Sequence, residues 1–327
     1  MPSLTMLPTE VLDRVCQHLS RGELAVVSLL CSSLHQTAVR LLYRDVQVSS
    51  AVGNMTLVMT LARRPQLAQH ARSFSITGAT HAPLLRPFYA LVARVLRTMP
   101  CLTSLDLALD HRASWVLAGC ALPHLLRFRC TFVMDAYVAS FLCTTPLLRD
   151  LEVHSLAPVA FEKPVTLPEH ALPRLASFTG SSTAALAIIP SRPVSSVHLA
   201  SGDCTPDVVA RLAGSRSPVQ HFTAQTTSPP IALLPHFAQH MPQLLYLRLD
   251  TKDFVLDPGD VGLYEGIVHE LPALRALRAF ELSGIYWPSS QKETGAREWR
   301  SPLLTIPETE SDSAEAEVQS ELLWAYY

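Results

Sequence analysis

Two histidines, His236 and His240, stand four residues apart in the stretch HFAQH. On a helix that spacing turns both imidazoles to one face, the way a helix offers two nitrogen ligands to zinc. A hydrolytic zinc helix also needs a carboxylate between them to activate bound water, and Phe237, Ala238 and Gln239 supply none. The pair therefore reads as ordinary surface or packing residues, and no metal is expected. The seven cysteines, at 16, 31, 101, 120, 130, 143 and 204, form no CxxC pair and match no zinc spacing. Most lie in apolar runs, where a free thiol acts as a small hydrophobe in a reducing compartment. There is no GxSxG elbow and no GxGxxG or GxxxxGK turn, and Gly259, Gly262 and Gly266 are wrongly spaced for a phosphate loop. No catalytic residue and no cofactor are expected.

What remains is the chemistry of recognition. Asp106, Arg127, Arg129, Glu152, His154, His198, His221, Tyr246, Arg248, Asp250 and Arg278 each alternate with apolar residues, as outward positions on half-buried strands do. Of these, Arg127, Arg129, Glu152, His154, His198, Tyr246, Arg248 and Arg278 are the candidate substrate-binding residues. Any one of them also reads as a solvated strand position; as a set they form the best candidate face for a protein partner.

The elements that must carry this face recur along the chain. "MPCLTSLDLALD" at 99, "LPHLLRFRCTFV" at 122, "TPLLRDLEVHSL" at 145, "LPRLASFTGSST" at 172, "MPQLLYLRLDTK" at 241 and "LPALRALRAFEL" at 271 share one pattern of apolar positions. Weaker copies begin at 70, 192 and 217. Their anchors are Ala71, Leu102, Leu125, Leu148, Leu175, Val194, Val219, Leu244 and Leu274. The spacing centres on the range of leucine-rich repeats. Helical stretches fall between strands, at 88, 114, 135, 206, 231 and 263, and proline before most strands ends the preceding helix. These segments resemble irregular leucine-rich repeats, except that the usual asparagine after the strand is missing: the single asparagine, Asn54, lies outside every copy. An ordinary α/β domain of βα units is the other reading.

The first forty residues are different. Pro8 suits the first turn of a helix, Glu10 follows in that turn, and Val11, Leu12, Val15 and Leu19 recur at helical spacing. Two more apolar segments follow, from Leu24 to Leu30 and from Leu34 to Leu42. Three helices in so few residues can scarcely complete a core, so one apolar surface is left for a partner. The stretch "LPTEVLDRVCQHLSRGELAVVSLLCSSLH" resembles an F-box, through Leu7-Pro8, Glu10-Val11-Leu12, Val15 to Leu19, Glu23-Leu24 and Leu30-Cys31. It departs from that pattern where Glu23 replaces an Asp and Leu34 a Trp. The resemblance implies docking to a Skp-type adaptor, and through it a cullin, by Leu7, Pro8, Val11, Leu12, Val15, Leu24 and Val27.

The expected fold class is thus α/β: a small N-terminal three-helix F-box over 1–48, then an irregular leucine-rich-repeat solenoid over 49–290, with parallel strands on the concave side and helices on the convex side. Residues 291–327 form an acidic tail expected to be disordered. From Ser301 onward it holds six acids and no Lys or Arg, so the rest carries +4 within a total of −2. That balance suggests neither nucleic acid nor an anionic membrane as partner. No signal peptide or apolar span is read, so the expected location is cytoplasmic or nuclear. The expected function is substrate recognition in a cullin-based (SCF-type) ubiquitin ligase, without catalysis. The alternatives are a repeat scaffold with no ubiquitin role, and an α/β hydrolase, which would need a deep pocket with a convergent nucleophile, His and acid.

Overall fold

Val46 and Val48 alternate with Asp45, Gln47 and Ser49, and these five residues form the first strand, β1 (Asp45–Ser49). The computed structural model of the chain describes residues 8–49, 54–77, 85–154, 165–252, 260–291 and 297–302. Ten more strands follow: β2 (Ser73–Thr77), β3 (Ser104–Leu107), β4 (Arg127–Cys130), β5 (Asp150–Val153), β6 (Ser177–Ser181), β7 (Ser196–Ser201), β8 (His221–Thr226), β9 (Tyr246–Thr251), β10 (Ala279–Leu282) and β11 (Ile285–Trp287). They make one sheet in chain order, each strand hydrogen-bonded to the next. Every pair from β1 to β10 is parallel, and β11 folds back antiparallel on β10. The protein is therefore α/β with a mostly parallel sheet.

Parallel neighbours need a crossover between them. These are supplied by α4 (Thr56–Arg63) and α5 (Pro65–Ala68) before β2, α6 (Arg86–Leu96) before β3, α7 (Ala136–Leu142) before β5, α8 (Ser182–Ile188) before β7, α9 (Pro206–Leu212) before β8, α10 (Pro230–His240) before β9 and α11 (Val261–Glu270) before β10. Local chemistry starts several of them. The Asp135 carboxylate accepts the Tyr137 and Val138 amides at the head of α7, and the Ser181 hydroxyl accepts that of Ala184 at the head of α8. Thr205 caps α9, with Pro206 in its first turn. The apolar stretch at 114, expected as a helix, makes only a 3-10 turn over Ser114–Leu117. Gly119 stops it, with φ +70°, a conformation that ends helices.

One face of the sheet is dry. Phe74, Leu105, Phe128, Leu151, Phe178, Val197, Phe222, Leu247 and Phe280 occupy one inward row and are all buried. Each such side chain is worth about 1.5–3 kcal/mol when removed from water. Helix residues close on them, as where Phe141 and Phe237 meet Phe128 and Phe222 edge to face at 5.0 Å. Gly180 is the exception in the next row: a Cβ there would lie 2.7 Å from Phe178 Cζ, so the phenyl ring fills its place. At the far end Trp287 is fully buried between Tyr264 and Phe280. A short second sheet, β12 (Ser289–Gln291) with β13 (Arg297–Trp299), buries Trp299 as well, so packed structure runs past residue 290 into the region expected as tail. Residues 303–327, which hold the acids of that tail, lie outside the described residues.

Before β1 come α1 (Thr9–Cys16), α2 (Arg21–Val27) and α3 (Ser32–Leu42). Ser20 and Glu23 form a reciprocal capping box at the head of α2. An Arg40–Asp13 ion pair joins α3 to α1. Cys16, Leu24 and Ala38 form a small buried cluster with Leu19, Val27, Leu41 and Leu42 around it, distinct from the core under the sheet.

Candidate functional site

The polar face of the sheet is set by strand register. One outward row reads Asp106, Arg129, Glu152, Thr179, His198, Thr223, Arg248 and Glu281 across β3 to β10. The row beside it reads Ser104, Arg127, Asp150, Ser177, Ser196, His221, Tyr246 and Ala279. Opposite charges thus fall on neighbouring strands, where side chains directly opposite interact.

Two clusters result. In the first, Arg129 Nη2 lies 3.2 Å from Glu152 Oε1, and His154 Nε2 is hydrogen-bonded to the same oxygen. The His154 bond, with help from Arg129, holds the Glu152 carboxyl below the usual carboxylate range. In the second, Arg248 Nε sits 3.5 Å from both Asp250 and Glu281. Between them His221 stacks face to face on Tyr246, centroids 4.8 Å apart, and burial pushes its pKa down. The first cluster borders a groove of about 290 Å³ over β3 to β6, lined by Asp106, Arg127, Arg129, Asp150, Glu152, Ser104, Ser177 and Thr179.

Arg127, Arg129, Glu152, His154, His198, Tyr246 and Arg248 all belong to this face, although Tyr246 is largely buried. Arg278 does not belong to its rows. The register pairs Ala279 with Tyr246 and Glu281 with Arg248, which leaves Arg278 before the strand. There its carbonyl oxygen accepts a hydrogen bond from Arg297. The cause is the 3-10 turn over Leu271–Ala273, which uses up three residues and makes Leu277, not Leu274, the counterpart of Leu244. Asp150 and Glu281 are charged face residues that sequence reasoning missed; their alternation with Leu151 and with Phe280 and Leu282 was the available signal.

The N-terminal helices offer a second surface. Pro8, at the head of α1, and the side chains of Val11, Val15, Val26, Leu29 and Leu30 face solvent, the last four 54–84% exposed. Leu12 and Leu24 are buried and Val27 is half-buried against the small cluster. Of the expected docking residues, Pro8, Val11 and Val15 are thus surface groups, whereas Leu12 and Leu24 support the helices from within; Leu7 lies outside the described residues.

A larger apolar cavity of about 440 Å³ lies on the helix side, lined by Met134, Leu167, Leu186 and Ala187 among others. Arg192 lines it too, but is 3% exposed and gives its donors to the carbonyls of Leu167, Pro168, Ala171, Ile188 and Pro190. His236 and His240 stack parallel, 6.4 Å apart, and among the described residues no three His, Cys, Asp or Glu side chains gather to hold a metal. The thiols of Cys120, Cys130 and Cys204 are pushed up by burial to about 11, 12 and 12, which makes them poor nucleophiles. No helix among the described residues is long and apolar enough to cross a membrane.

The fold and its two surfaces define an α/β protein that presents a charged strand face and a separate apolar helical one. A scan of protein-family models matches nothing in the chain, and a search of the curated proteins returns no match.

Proposed function

We propose that the chain is a non-catalytic, substrate-recognition subunit of a cullin-based (SCF-type) ubiquitin ligase. In this reading residues 1–48 are an F-box that docks a Skp-type adaptor, and the adaptor brings the cullin. The sheet is the inner lining of an irregular leucine-rich-repeat solenoid whose polar face holds a protein substrate, in the cytoplasm or nucleus. The contribution is proximity: holding the substrate beside the ubiquitin donor raises the effective concentration of a target lysine. No cofactor, nucleic acid or membrane enters.

The observation that carries the reading is the set of exposed aliphatic side chains in the N-terminal module, Val15 on α1, Val26 on α2, and Leu29 and Leu30 in the turn that follows it. A module that buries so few apolar side chains of its own, Leu12, Cys16, Leu24, Leu34 and Ala38, leaves that much apolar surface uncovered. A partner's apolar groove is the natural cover for a helix face of this kind. The strands following one another in chain order, with helices between most of them, support the solenoid.

The test is co-purification of the full chain with a Skp-type adaptor. The wild type should form a stable complex, and a Val15→Asp, Leu29→Asp double variant should lose it while keeping its helical signal. No complex with the wild type would remove the F-box and leave an interaction scaffold with no ubiquitin role.

A further inference from the structure

In the groove over β3 to β6 the charges are unequally committed. Arg129, Glu152 and His154 bind one another. Arg127, one position along the same face of β4, makes no side-chain hydrogen bond or ion pair with any described residue, and neither do Asp106 and Asp150. Asp150 is the register partner of Arg127, and Asp106 that of Arg129, so the three line the same groove. A guanidinium with five N–H donors and two carboxylates therefore keep their hydrogen-bonding capacity open toward solvent.

The arrangement discriminates. A wholly anionic ligand would gain Arg127 but meet Asp106, Asp150 and Glu152; a wholly cationic one would meet Arg127 and Arg129. A ligand bearing one charge of each sign satisfies both. Along an extended chain, side chains on one side recur about every 7 Å, the same repeat that separates successive outward residues along each strand of the sheet. From this we infer that the groove reads a mixed-charge peptide segment in extended form, its acid forked by Arg127 on β4 and its base met by Asp106 or Asp150 on the flanking strands. Burial raises the pKa of both carboxylates in spite of the neighbouring arginines, so a bound cation would relieve charges that the chain itself leaves under-compensated. The inference rests on the reading of this face as the substrate surface and names the class of substrate.

The experiment selects random ten-residue displayed peptides on the full chain, for the wild type and for Arg127→Gln, Asp106→Asn and Asp150→Asn, with thermal melts to confirm folding. The wild-type pool should be enriched about tenfold in peptides with an acid and a base one to two residues apart, a gain that a single satisfied charge pair supplies. Arg127→Gln should abolish the preference for the acid, and each Asp→Asn variant should weaken that for the base. A pool without such pairs, no enrichment at all, or identical pools from wild type and variants would overturn the inference. Adaptor co-purification is read separately on the same proteins: its failure with the peptide preference intact sinks the ligase reading and leaves the groove standing.

Discussion

The side-chain oxygen of Asn54 accepts the backbone N–H of Ser49 at 2.7 Å. Its amide nitrogen donates to the carbonyl of Gln47 at 2.8 Å. Residues 47 and 49 lie on β1, the first strand of the sheet, which pairs on only one side. The lone asparagine of the chain thus occupies two backbone groups on an edge that would otherwise be a template for another strand. Arg21, from α2, donates to the next carbonyl along, that of Asp45, and so ties the N-terminal helices to the same edge.

Asn54→Ala should expose those two groups. A loss of about 1–2 kcal/mol is expected, because a half-buried donor and acceptor lose their partner. Self-association that grows with protein concentration should accompany it. Denaturant midpoints and sedimentation check the two effects; a variant that stays monomeric at high concentration would show that the edge is protected by something else.

Arg192 makes a second test. Its guanidinium is buried and satisfied by carbonyl oxygens from two segments, 167–171 and 188–190. Lysine keeps the charge but cannot reach five oxygens from one planar fork. Arg192→Lys should cost about 3 kcal/mol, read as a lowered urea midpoint with unchanged slope. A cost below about 1 kcal/mol would mean that the carbonyls find water instead.

On the N-terminal helices, burial separates residues that the sequence grouped together. Leu12 is 4% exposed and Val15 54%. Leu12→Ala should destabilise by about 2–4 kcal/mol, whereas Val15→Ala should stay within about 0.5 kcal/mol. Circular dichroism melts of the two variants decide it, and equal losses would contradict the assigned faces.

Acid should act through His221. Its folded pKa lies below the ordinary 6.5, because burial against Tyr246 disfavours the charged ring. The stabilising contribution of the neutral ring is complete above 6.5 and is lost as pH falls, since the unfolded chain takes up the proton first. His221→Phe keeps a stacking ring and removes the titration. Relative to wild type the variant should therefore gain stability between about pH 7 and pH 5. Parallel pH dependence in both proteins would assign the acid sensitivity to other groups, His198 first, whose pKa burial likewise lowers from 6.5.

Much of the sheet is legible in the sequence because its pattern is locally enforced. Leu102, Leu125, Leu148, Leu175, Val194 and Leu244 are all buried anchors, and the alternation after each places the outward residues correctly. Where a connection changes length, the pattern loses its phase. Leu271-Pro272-Ala273 winds into a 3-10 turn, and both Arg278 and Glu281 change roles. The helix α8 escaped notice because its start is one hydroxyl cap, Ser181, inside a small-residue run. The strand β1 was hidden at the end of the N-terminal module, although Val46 and Val48 already alternate. Exposure is the least legible property of all: Leu12 and Val15 look equivalent in the sequence, yet the first is buried and the second exposed.

The order of the strands has a consequence for how the molecule is made. Each strand finds its partner in the stretch of chain just before it, so no pairing waits for a distant segment. During synthesis the sheet can lengthen strand by strand as the chain emerges, each new one laid on an edge already present. Throughout that growth the leading edge is bare, while the opposite one is covered early, by Asn54. Only when Trp287 arrives on β11, the eleventh strand and the last of this sheet, does the advance stop.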